Sequence, residues 1–398
     1  MELQTFMYVL AAALCAALVS FTMTPPVRVL AYKIGAIDVP LDKRRMHKKP
    51  IPRIGGLAIF SGFLVASLLF CPMSAPLKSI WIGGSILVII GVLDDIFRLS
   101  ALLKLAVQII AALVPVFFGV TINHISLFGH VFVLGVWGIP FTVLWIVGLT
   151  NAINLIDGLD GLACGVSAIC SASILGVMII VGDTASALIT VLITASCIGF
   201  LPFNKNPARI FMGDTGSLFL GYSLAVISTS GLFKLHTVIS FLIPITVFAL
   251  PLFDTIAAIL RRVLSGRSPF APDKGHLHHK LVDMGFTQKE SVKILYAICS
   301  LMGIVAIVFT DTMFDSSRLV KALLLLLCAI IILVLNYIVM VNPASRLHSG
   351  LFDDENEEAY KKLQHKVELL NAENEEKKNE CNSKIKNSDE GDSNNNEK

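Results

Sequence analysis

Five aspartates stand where apolar runs of the chain end: Asp94 and Asp95, Asp157 and Asp160, and Asp214. Ionisable groups against long hydrophobic stretches are costly to place and mark function by default. In Asn151-Ala-Ile-Asn154-Leu-Ile-Asp157-Gly-Leu-Asp160-Gly, four oxygen-bearing side chains recur at every third residue. On a helix, neighbours at that spacing lie one above another but drift by about 60° per step, so the four sweep roughly half the circumference. One pair is then free to ligate a metal while another contacts a substrate. In Phe211-Met-Gly213-Asp214-Thr-Gly216-Ser217, glycines flank an aspartate at a helix entry. Glycine allows close backbone approach, and a helix N-terminus offers free N–H groups to an anion. Carboxylate and amide oxygens without thiolates suit a hard cation such as Mg²⁺, with Mn²⁺ as the alternative; Mg²⁺ takes one or two carboxylates and completes its shell with water and phosphate oxygens. Cations surround the set: Lys104, the basic stretch 43–53, and Gly275-His276-Leu-His278-His279. A metal flanked by cations is what a diphosphate needs for charge neutralisation during transfer.

The elements that must position these groups are hydrophobic. Of 398 residues, 55% are apolar and 15% charged, against about 25% charged in ordinary globular domains. A water-soluble enzyme with one core is thereby excluded. A helix crossing ~30 Å of hydrocarbon needs ~20 apolar residues, and eleven runs meet or approach that: 3–22, 55–72, 80–96, 101–118, 133–152, 162–181, 185–203, 217–232, 238–260, 293–310 and 320–341. The expected fold class is an all-α polytopic membrane protein of about eleven transmembrane helices. The first run has no Lys or Arg before it, so it is expected to be a span and not a cleaved signal peptide. Lys and Arg of short loops stay on the cytoplasmic side. Loops 23–54 and 261–292 are strongly basic, whereas the loops of opposite parity hold only Lys78, Lys234 and Arg318. This places the N-terminus outside, the C-terminus in the cytoplasm, and all five aspartates at the cytoplasmic face.

Residues 343–398 hold 9 Lys/Arg and 14 Asp/Glu, net −5, which leaves the preceding body at +8. The expected domains are a multi-pass body, 1–342, and a polar cytoplasmic tail, 343–398, with a short helix and then a disordered segment. Tyr360, Leu363, Val367, Leu370 and Asn374 give the tail two heptads, fewer than a coiled coil requires. The eight cysteines, at 15, 71, 164, 170, 197, 299, 328 and 381, form no CxxC pair and mostly lie in apolar runs. They are expected to act as small hydrophobes.

Five blocks carry a resemblance: HKKPIPRIGG at 47–56, DDIFRLS at 94–100, NAINLIDGLDGLA at 151–163, FNKNPARIFMGDTGSLFLG at 203–221 and SPFAPDKGHLHHKL at 268–281. In this order they resemble the polyprenyl-phosphate N-acetylhexosamine-1-phosphate transferases. The family implies attack of a polyprenyl phosphate on the β-phosphorus of a UDP-sugar, with release of UMP. The muramoyl-peptide branch is similar but reads HHHxE in the last loop; here the loop reads HLHH, as in the initiators of teichoic-acid and O-antigen type polymers. The resemblance thus implies UDP-GlcNAc and undecaprenyl phosphate as partners, a bacterial plasma membrane location with the site facing the cytoplasm, a homodimer, and no nucleic acid. It assigns Asp94 and Asp95 to the neighbourhood of the lipid phosphate, Lys104 to the diphosphate and His278 to catalysis. Asp214 becomes the Mg²⁺ ligand with Asn154 as the second, and Asp160 the contact to uracil. Lys48, Asn151, Asp157, Asn204, Arg262, His276 and His279 fall to substrate binding.

Other readings of the same residues stand beside these. A phosphate monoester has a second pKa near 6, so an attacking lipid phosphate is already mostly dianionic, and the aspartate pair serves as base or only as positioning. Lys104 could snorkel to the interface. Asp254, seven residues before Arg261, suits a structural ion pair better than catalysis. A secondary transporter of a phosphorylated solute is the alternative class, but transporters place ionisable sites at midplane in repeated halves, and no motif here repeats.

Overall fold

The computed structural model describes residues 3–39, 50–127, 130–231, 242–266 and 275–314. Apart from the turn Asp283–Gly285, these belong to one compact unit. Lys48, the run 320–341 and the tail with its heptads lie outside the described residues.

The unit is helical: α1 (Leu3–Ile34), α2 (Gly56–Phe70), α3 (Ala75–Phe97), α4 (Ala101–Phe117), α5 (Gly138–Leu155), α6 (Leu162–Val181), α7 (Thr184–Asn204), α8 (Gly213–Gly231), α9 (Leu242–Val247), α10 (Ala249–Leu264), α11 (Leu277–Asp283) and α12 (Gln288–Phe314). Each of the first ten apolar runs overlaps helix among the described residues. Six helices among the described residues are long and apolar enough to cross a membrane. The protein is a helical membrane protein.

Helix α8 organises the others. Every residue from Thr215 to Gly231 is buried, and α3, α5 and α2 all pack on it. This explains why its run is the least apolar by sequence: α8 meets protein on all sides and has no need of a lipid-facing surface. Small residues bring the backbones together, the means by which helices in lipid gain packing. A Cβ on Gly91 would stand 2.5 Å from Thr215 Cα, and one on Gly221 2.7 Å from Thr150 Cα.

Four features differ from the sequence expectation. Helix α1 continues past residue 22, through Pro25 and Pro26, to Ile34. From Leu242 onward the run 238–260 is two helices, broken at Phe248, because Pro251 has no N–H to offer the Val247 carbonyl. Residues between α4 and α5 form a hairpin, β1 (His124–Leu127) with β2 (His130–Val133). Finally, Asn151 to Asp160 is not one helix: α5 ends at Leu155, and Asp157 and Asp160 lie in a turn closed by Gly161 at φ +77. Only Asn151 and Asn154 keep the helical spacing. The six cysteines at 15, 71, 164, 170, 197 and 299 are all free thiols.

Candidate active site

The end of α3, the first turn of α4, the end of α5 and the start of α8 converge. Ser100 caps α4 through the Leu103 N–H, and Lys104, one turn on, reaches between two carboxylates. Its Nζ lies 3.1 Å from Asp94 Oδ2 and 2.9 Å from Asp214 Oδ2. Asn154 from α5 donates to Ser217 Oγ at 2.8 Å, three residues along α8 from Asp214. The residues named from α3, α4, α5 and α8 thus form one cluster.

The adjacent aspartates do different work, as a 100° step along a helix requires. Asp94 faces Lys104 and accepts the Leu99 N–H at 2.8 Å, closing the α3 C-terminus. Asp95 turns the other way and caps α8. It accepts the Asp214 and Thr215 N–H groups at 3.2 Å each and the Thr215 hydroxyl at 2.8 Å, an arrangement that satisfies orphan donors of a helix start. Asp214 is therefore not the cap; it sits in the first turn and points out to Lys104. Gly213, at φ +69, makes the turn possible: a Cβ there would strike the Arg53 carbonyl and the Asp95 carboxylate.

Beside the cluster opens a cleft of about 810 Å³, lined by Arg28, Tyr32, Arg53, Asp157, Asp160, Asn204, Asn206, Arg209, Phe211, His279 and Gln288 among others. Asp160 organises one wall, accepting from Asn206 Nδ2 at 2.9 Å and the Ala208 N–H at 3.0 Å. Asn204 is buried, donates to the Ile210 carbonyl at 3.1 Å, and leaves its Oδ1 without a partner. Burial, and after it the Asp214 carboxylate, push Asp157 up to about 7.

The histidines separate. His276 is turned from the cleft onto Asp254, His278 is buried, and His279 lines the cleft. Burial, and then the neighbouring His279, depress His278 to about 3, so its imidazole is neutral at pH 7. Arg262 is buried in the last turn of α10. Asn151 pairs side chain to side chain with Gln108 of α4.

The donor set suits a divalent cation. Asp94, Asp95, Asp157 and Asp214 face two cations, Lys104 and Arg53, so the fully ionised group carries two uncompensated negative charges. Among the described residues, no three His, Cys, Asp or Glu side chains form a ready cage. Mg²⁺ fits such a place, since it is held by one or two carboxylates with water and phosphate completing the shell. Asp214 and the Asn154 amide would be the residues to hold it, with Asp94 adjacent.

A family model, glycosyl transferase family 4, matches residues 77–232, the stretch that supplies every member of this cluster except Arg53. A probable undecaprenyl-phosphate N-acetylglucosaminyl 1-phosphate transferase of Bacillus subtilis (strain 168) is 43% identical over 314 residues, 78% of this chain and 87% of that protein. The chain belongs to glycosyl transferase family 4. It is an enzyme, a phosphotransferase. Two other relatives are similar. A decaprenyl-phosphate N-acetylglucosaminephosphotransferase of Mycobacterium tuberculosis (strain ATCC 25618 / H37Rv) is 36% identical over 344 residues, covering 78% of this chain and 84% of its own. An undecaprenyl-phosphate alpha-N-acetylglucosaminyl 1-phosphate transferase of Escherichia coli (strain K12) is 30% identical over 293 residues, covering 70% and 78%.

Within this family member, three groups escaped sequence reasoning. Arg53 reads as one topological charge among many, yet its Nε lies 3.5 Å from Asp95 Oδ1 and its side chain lines the cleft. Gln108 stands four residues after Lys104 in an apolar run, and that spacing was a usable signal. Asn206 joins Asp160 to Gln288, 46 and 82 positions away from it, with no local trace.

Proposed function

We propose that the chain transfers GlcNAc-1-phosphate from UDP-GlcNAc to undecaprenyl phosphate, giving undecaprenyl-diphosphate-GlcNAc and UMP, with Mg²⁺, as the first step of a lipid-linked cell-envelope glycopolymer. The observation that carries this is Lys104 held between Asp94 and Asp214 at the edge of a cleft with arginines in its wall. A lipid phosphate oxygen bonds to the β-phosphorus, the bond from that phosphorus to the bridging oxygen breaks, and UMP leaves with the electron pair. Transfer of this kind is mostly positioning and charge stabilisation. Lys104 and Arg53 supply fixed positive charge, Asp94 and Asp214 orient Lys104, and Asp160 shapes the wall against which the nucleotide lies. Mg²⁺, when bound near Asp214 and Asn154, supplies charge neutralisation on the phosphates. The same chemistry with another UDP-N-acetylhexosamine is the alternative.

Purified protein given Mg²⁺, UDP-GlcNAc and undecaprenyl phosphate is expected to release UMP, and EDTA or Asp214→Ala to abolish the release. Wild type without UMP, or Asp214→Ala at full rate, defeats the assignment.

The eleven-span topology, with the site in the cytoplasm and the tail on the same side, belongs to the same proposal. The lone basic residues of the opposite loops support it. A cysteine replacing Lys78 is expected to react with an impermeant maleimide in intact cells and one replacing Lys289 only after lysis; the reverse pattern inverts the topology.

A further inference from the structure

Asp254 lies on α10, 4% exposed, and the cleft lining does not include it. Its two oxygens are both used by the histidine segment. Oδ2 is 2.9 Å from His276 Nδ1, and Oδ1 accepts the Leu277 N–H at 2.8 Å. Two helical turns further along the same face, the Arg261 guanidinium lies over Gly275, where a Cβ would come within 2.6 Å of its Nε. Helix α10 therefore grips this segment at two points.

From His276 the rings continue as a column. His276 stacks on His278 with centroids 5.7 Å apart and planes at 11°, and His278 meets His279 at 4.3 Å. His276 and His278 are 5% and 3% exposed. The middle of the column rests on Gly158, where a Cβ would collide with His278 Nε2. Gly158 is flanked by Asp157 and followed by Asp160, and His279 lines the cleft with both. Asp254 thus holds one side of this column, and the acidic turn abuts the other.

We propose that Asp254 is a positioning residue for the donor nucleotide, acting through the His276–His278 column to register His279 and the Asp157–Asp160 turn in the cleft wall. The proposal deepens the function assigned above and rests on it for the identity of the ligand. An aspartate at this place also fixes the tautomer of His276: Nδ1 carries the proton toward Oδ2. His276 and His278 are buried, and a neutral His278 stacks there without a charge to desolvate. Asp254 touches no reacting atom, so its loss acts on donor affinity before it acts on the chemical step.

The test uses the full chain in detergent with two readouts. Diethyl pyrocarbonate acylation, mapped by mass spectrometry, is expected to spare His276 and His278 in wild type and to reach His278 in Asp254→Ala. UDP-GlcNAc affinity, by calorimetry, is expected to fall about tenfold in Asp254→Ala and in Gly158→Ala. Because both substitutions break one column, the double variant should bind no more weakly than the poorer single one, a coupling that independent damage does not produce. Asp254→Asn keeps an acceptor for Leu277 and turns an N–H toward His276, whose Nδ1 accepts it in the other tautomer; the segment stays in place, and most of the affinity and the protection should return. His278 protected in Asp254→Ala, multiplicative losses in the double variant, or no recovery with Asn would each overturn the proposal. Should wild type fail to bind UDP-GlcNAc, the functional assignment falls, while the acylation pattern still decides the column.

Discussion

Replacing Lys104 by methionine is expected to lower UMP release by about 10³-fold, the scale of removing one preorganised electrostatic donor from a protected site. The side chain keeps its length and loses its charge, so Asp94 and Asp214 are left facing each other without the ammonium that now lies 3.1 and 2.9 Å from them. Two carboxylates in that position do not both stay ionised cheaply, and the one that takes a proton no longer offers the donor set a phosphate-bound metal needs. Lys104→Arg restores the charge, but a planar fork does not replace a point charge set between two separate oxygens. It should recover no more than a tenth of the rate. Turnover measured at saturating UDP-GlcNAc and lipid phosphate separates this from weaker binding. A Lys104→Met enzyme within about threefold of wild type would mean that the lysine only snorkels to the interface.

Much of this site was legible in the sequence because its chemistry is local. Asp94-Asp95, Asn151 to Asn154 and Gly213-Asp214 each lie within one turn of a helix end, where an apolar run makes an ionisable group conspicuous. That Asp94 and Asp95 must diverge follows from the helical repeat alone. What stayed hidden depends on chain reversals. The spacing through Asp157 and Asp160 looks helical, but the helix stops at Leu155 and the chain turns through Gly161 into the next one; the break at Phe248 follows from Pro251 inside a run that hydropathy alone joins. Arg53 was indistinguishable from the charges that orient the chain, since its meaning comes from Asp95, 42 positions away in sequence. Lengths were legible only where lipid sets them: α8 is surrounded by other helices, and so its run is shorter and more polar than a lipid-facing span.

The two adjacent aspartates should fail in different ways. In Asp95→Ala, the Asp214 and Thr215 N–H groups and the Thr215 hydroxyl lose their acceptor, and Arg53 loses the partner 3.5 Å from its Nε. Breaking a buried charged arrangement by removing one partner costs about 3–5 kcal/mol, which corresponds to a fall in Tm of roughly 5–10 °C. Rate is lost with the fold, because the start of α8 is what aims Asp214 at Lys104. Asp94→Asn keeps an oxygen for the Leu99 N–H and turns an NH2 toward Lys104, removing both the charge and the acceptor that the ammonium meets. Its Tm should stay within about 2 °C of wild type, while turnover falls by about 10²-fold or more. Thermal melting and UMP release on the same preparations decide the matter. Equal losses of Tm in the two variants would show that α3 ends in two structural caps, and the catalytic share of the pair would then pass to Lys104 and Asp214 alone.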